Sequence, residues 1–120
     1  MGSVSDADEA VLAEIAEETG VSYDPGSGDV EFAGASTDTE QYVALVEYLV
    51  ENGYVTEEHA PVSAERAQTR YLINSTASHE NRDMIRPREV GDGLHLETNH
   101  DSTSKQRYGG RFIETFVLDG

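Results

Sequence analysis

The chain reads as an α+β domain, a small antiparallel sheet of two hairpins packed against about three helices, in the order α-β-β-α-(α)-β-β-α. Three observations predict this. Apolar residues recur at helical spacing in three segments, near 6–19, 38–52 and 102–116. Short alternating runs bounded by Gly, Pro and Asp fall between them. The 120 residues carry no internal repeat and no linker-like stretch, so 1–120 reads as one domain.

The first helix opens with Ser5 as N-cap, followed by Asp6, Asp8 and Glu9, which suit the positive end of a helix dipole. Val11, Leu12, Ile15 and Ala16 form its apolar stripe, and Gly20 ends it. Residues 21–23 and 30–32 then alternate around Asp24-Pro25-Gly26-Ser27-Gly28-Asp29. That is hairpin-turn chemistry; the Walker lysine and the Rossmann glycine spacing of a phosphate loop are missing. Thr37 with Glu40 forms a capping box for the second helix, which runs to about Asn52 and stops at Gly53. Its face of Tyr42, Leu45, Val46 and Leu49 is wide enough to be core.

Beyond it, Pro61 interrupts residues 56–68, and Ser63 is placed to cap a short helix through Ala67. Residues 69–74 read as a strand and 75–92 as a long loop, a feature that often carries function. Residues 94–98 read as a strand with Leu94 and Leu96 facing in and His95 and Glu97 facing out. Asp101 or Ser102 caps a last helix, in which Tyr108, Phe112 and Phe116 recur every four residues. Gly109-Gly110 inside it costs roughly 1.5–2 kcal/mol against two alanines, which calls for close packing or a helix break.

Charge separates this chain from an ordinary domain. There are 24 Asp and Glu against 8 Lys and Arg, for a net charge of −16, and Lys105 is the single lysine. Such an excess repels itself in dilute buffer, whereas molar salt shrinks the Debye length to about 3 Å. The composition resembles that of extreme halophile proteins as a class. A nucleic-acid mimic is an alternative use for it. The absence of cysteine excludes disulfides, thiolate nucleophiles and thiolate zinc sites. No apolar run approaches a membrane span and no signal-peptide pattern precedes the first helix, so the expected location is cytoplasmic, with no membrane partner. No cofactor is expected.

The surviving cations are segregated. Residues 1–60 hold 15 acidic residues and no Lys or Arg; residues 61–120 hold 9 acidic residues and all 8 cations. Arg82, Arg86 and Arg88 crowd the long loop, and Lys105, Arg107 and Arg111 the last helix. Two readings fit: internal pairing with the acidic first half, or a surface for an anionic ligand or partner, carried by Arg82, Arg86, Arg88, Lys105 and Arg107. Arginine suits the second because its planar fork grips phosphate or carboxylate at two points. The polar start of the last helix could also attract an anion, but Asp101 would fill that end as a cap.

His95, Glu97 and His100 offer a metal-dependent hydrolase as an alternative, since two imidazoles and a carboxylate can hold a divalent ion. The sequence lacks HExxH, and Asn99 stands where metal-dependent nucleases with paired acids such as Asp92 and Glu97 would carry lysine. No nucleophile elbow is present. Finally, residues 44–55 followed by 69–73 resemble the helix-to-wing passage of winged-helix DNA-binding domains, which implies nucleic-acid binding. The helix concerned carries Asp38, Glu40, Glu47 and Glu51 and no cation, so phosphates would be repelled from it. The function expected is a non-enzymatic binding or regulatory module for an anionic ligand or partner, with nucleic acid a possible one.

Overall fold

The computed structural model describes residues 6–32, 37–64, 67–79 and 83–118. Helix α1, Asp6–Thr19, leads into the hairpin β1, Val21–Asp24, and β2, Asp29–Phe32. Helix α2, Asp38–Glu51, follows. A single 3₁₀ turn, Glu57–His59, precedes four strands: β3, Val62–Ala64; β4, Ala67–Asn74; β5, Pro87–Gly91; and β6, Leu94–Glu97. Helix α3, Ser102–Phe112, continues into a wide π-helical segment, Ile113–Leu118. The α+β class and the coarse order of elements are those the periodicity predicts. The strands form two antiparallel sheets, β1-β2 and β3-β4-β6-β5.

Helix α2 is the centre of the molecule. It packs against α1, α3 and β5, so apolar residues around much of its circumference are covered. Tyr42, Leu45, Val46 and Leu49 are sealed from solvent. Its exposed residues include Glu40, Glu47 and Glu51. The exposed side of the helix is therefore acidic, and phosphates would be repelled from it. At its start the Thr37 hydroxyl accepts from the Glu40 amide, as the capping-box pattern requires. The Glu40 carboxylate, however, leaves the box and reaches Arg88.

Three local expectations are corrected. Among the described residues the short helix through Ala67 does not form: Ser63 and Ala64 lie in β3, which pairs with β4 in irregular register, and the helical turn falls earlier, where Thr56 and His59 cap each other. The loop 75–92 contains β5, an edge strand whose side-chain burial is confined to Val90. Its turn to β6 uses Asp92 and Gly93 at φ 53° and 76°, the positive pair that a tight Asp-Gly hairpin demands. The face assignment on β6 fails for Glu97. Strands β4 and β5 flank β6, and the polypeptide at Ile85–Arg86 closes over Glu97, leaving it 3 % exposed.

Candidate anion-binding cleft

The first turns of α2 and α3 come together at one side of the four-stranded sheet. Ser102, the first residue of α3, donates its hydroxyl to Asp38, the first residue of α2. Next to this contact lies a cleft of about 360 Å³. The approach to β5 supplies Arg86, and β5 itself supplies Pro87 and Arg88; the end of β6 supplies Thr98, Asn99 and His100; the two helices supply Thr39 and Lys105. Four of these residues are cationic or can become so, and none is acidic.

Each cation is held differently. Lys105 is 7 % exposed, and its ammonium donates to the Thr39 hydroxyl at 2.9 Å. Among the described residues no carboxylate lies within ion-pair distance of it. Burying an ammonium without a counter-charge is costly unless an anion completes its surroundings. Because the Thr39 oxygen accepts from Lys105, its own proton is left to donate elsewhere. Arg88 is exposed and forks onto Glu40, with Nη1–Oε2 at 3.0 Å and Nη2–Oε1 at 3.4 Å. This contact lowers the Glu40 pKa and raises that of Arg88, through the hydrogen bonds first and the charges second. Arg86 is exposed and has no ion-pair partner among the described residues. The His100 and Tyr108 rings meet edge to face, with their centres 5.0 Å apart.

Buried behind the cleft is the group that fixes Arg86. Glu97 Oε1 accepts from the Ile85 amide at 2.8 Å and faces His79 Nε2 at 3.1 Å; Oε2 accepts from the Arg86 amide at 2.8 Å. The Asn99 amide adds a longer contact at 3.4 Å. Burial alone would raise the Glu97 pKa, but these hydrogen bonds outweigh it and hold the carboxyl below its ordinary value. His79 Nδ1 accepts from the Tyr71 amide at 2.9 Å, so the ring proton sits on Nε2 and points at Glu97. The Arg86 carbonyl is tied as well, by the Thr98 amide and hydroxyl. Arg86 therefore enters the cleft from a backbone held on both sides.

Of the five cations singled out from sequence, the structure brings Arg86, Arg88 and Lys105 together. Arg107 stays outside the lining, with its guanidinium 5.7 Å from the Tyr108 ring centre. Arg82 lies outside the described residues. Arg88 pairs with a first-half carboxylate, as internal pairing expects; among the described residues Arg86 and Lys105 form no ion pair. His95, Glu97 and His100 do not assemble. Among the described residues no three His, Asp or Glu side chains are grouped to hold a metal ion, and the Glu97 oxygens are already engaged by backbone amides and His79. Thr39 was not foreseeable, because it meets Lys105 across 66 residues of sequence and carries no motif. His100 was legible only as a metal ligand, and its place in the cleft follows from the turn between β6 and α3. Comparison with protein-family models, curated proteins and solved structures finds no match to this chain.

Proposed function

We propose that the protein is a non-enzymatic binding module that takes a small oxyanion ligand in the cleft between α2, α3 and the β5–β6 edge, in the cytoplasm of a cell rich in salt. One observation carries the reading. In a chain of net charge −16, Arg86, Arg88, Lys105 and His100 gather around one cavity, and among the described residues no Asp or Glu lines it, Glu40 meeting Arg88 from outside the lining. A random draw from this composition would line a cleft with acid. The volume, about 360 Å³, sits at the lower end of small-ligand sites. Binding is favoured over catalysis because Glu97, the buried carboxylate, has its oxygens committed to the polypeptide and lies outside the cleft lining. A nucleic-acid strand is the competing polyanion; the acidic coat around the cleft works against it, since only a few phosphates could be neutralised.

The test is a calorimetric titration of the protein with inorganic phosphate, and separately with a short single-stranded oligonucleotide, in concentrated KCl. Phosphate should bind, and Arg86→Gln and Lys105→Met should each weaken it about tenfold, the loss expected for one charge-assisted contact. Oligonucleotide binding much tighter than phosphate would move the reading to nucleic acid. No binding of either would end it.

A further inference from the structure

Arg88 is the guanidinium of the cleft that the protein already occupies. Glu40 presents two carboxylate oxygens to its fork, with the same two-point geometry that an incoming carboxylate or phosphate would use. Both side chains are about half exposed, at 44 % and 54 %, so water and salt weaken the pair and let it exchange. Glu40 is also free to be there because its side chain has left the helix cap to Thr37. On the other side of the cavity the Lys105 ammonium donates to the Thr39 hydroxyl, whose own proton remains to be donated.

Resting on the anion reading of the cleft, we propose that Glu40 is a built-in competitor for the ligand, and that the ligand is a dianionic phosphate group. Binding is then an exchange: Arg88 swings from Glu40 to the ligand, and Glu40 is released to solvent. A monoanion gains little by this, since it replaces one carboxylate on Arg88 with another and leaves Lys105 partly compensated. A dianion answers Arg88 and Lys105 together. Chloride, a single point, cannot span the arginine fork. High salt favours the exchange by screening the exposed Glu40–Arg88 pair more than contacts inside the cleft.

The experiment is a double-mutant cycle by calorimetry on the full chain in concentrated KCl, near pH 8, where a phosphate group is a dianion. The probes are inorganic phosphate and acetate, and the proteins are the wild type, Glu40→Gln, Arg88→Gln and the double variant. Both positions are exposed, and circular dichroism checks that each variant is folded. Glu40→Gln should tighten phosphate about fivefold, and should give no gain in the Arg88→Gln background, because nothing is left to compete for. Acetate should bind more weakly than phosphate to every protein. An equal gain from Glu40→Gln in both backgrounds would mean a general field effect and overturn the competitor, as would no gain in either, while leaving the anion reading intact. Acetate as tight as phosphate overturns the dianion. No phosphate binding by any of the four proteins overturns the cleft reading and this one together.

Discussion

Glu97 is the residue whose loss should reach furthest. Its two oxygens collect the amides of Ile85 and Arg86 and face the Nε2–H of His79, all in a nearly dry setting. Glu97→Gln keeps the shape but puts an amide N–H₂ where those donors need an acceptor. At least one buried donor is then unsatisfied, for a cost of about 3 kcal/mol. The pH dependence follows from the lowered pKa. A carboxyl depressed on folding contributes stability that is complete above its unfolded value, about 4.3, and is lost as pH falls through the lower folded value. Acid unfolding of the wild type should therefore steepen below about pH 4. The Glu97→Gln variant should start from a lower stability and lose less of it over that range, read by urea denaturation at several pH values. Equal acid slopes in the two proteins would show that Glu97 is not a controlling carboxylate. Period-two alternation places this residue on an outward face because it assumes one wet side. Here the polypeptide at Ile85–Arg86 covers that side, and alternation carries no information about such a cover.

At the scale of elements, the helices were legible and the edge strands were not. Helix α2 declares itself by a cap and a wide apolar stripe, and the structure seals those same side chains. Strand β5 hides because an edge strand with one buried side chain has almost no pattern, and Arg86-Pro87-Arg88 reads as loop. The glycine pair of α3 was visible as an anomaly, and its reason is packing. A Cβ on Gly110 would lie 1.8 Å from the Gly28 carbonyl oxygen, and one on Gly109 would lie 2.7 Å from Val30 Cγ2. The helix thus lies directly on the β1–β2 hairpin, and in doing so aims Lys105, a turn earlier, at the cleft. The two glycines should respond differently. Gly110→Ala meets backbone that cannot move aside, so it should cost more than about 3 kcal/mol, and trimming a neighbouring side chain should not help. Gly109→Ala meets a side chain, so Val30→Ala should recover part of its loss and make the pair less than additive in thermal denaturation. Full recovery at Gly110 by the same trimming would contradict the backbone contact.

For the whole molecule, the unanswered charge decides how it should behave in salt. Arg88–Glu40 is an ion pair of the fold, but 8 Lys and Arg cannot answer 24 Asp and Glu however they pair. The acid excess is therefore not consumed internally, and it is concentrated in the half of the chain that holds no Lys or Arg. Helix α1 is the extreme case: it carries Asp6, Asp8, Glu9, Glu14, Glu17 and Glu18, and Ile15 is its one buried residue. Its contacts to the domain include apolar packing on α2 and β1 and the Tyr48 hydroxyl on Glu14. Raising KCl from about 0.1 M to 2 M shortens the Debye length from about 10 Å to below 3 Å, so repulsion among these carboxylates should fade and the thermal midpoint should rise. Because salt can also strengthen apolar burial, the midpoint alone does not isolate the charge effect. The triple change Glu17→Gln, Glu18→Gln and Glu51→Gln, all at exposed positions, separates the two. If repulsion dominates, the variant should be more stable than the wild type at low salt and its midpoint should climb less steeply. Hydrogen exchange at low salt should then show α1 opening first and α2 last, since local stability follows the apolar area each element buries. Parallel salt slopes in the two proteins, or uniform exchange across α1 and α2, would place the salt response in the core and remove the acidic coat as its cause.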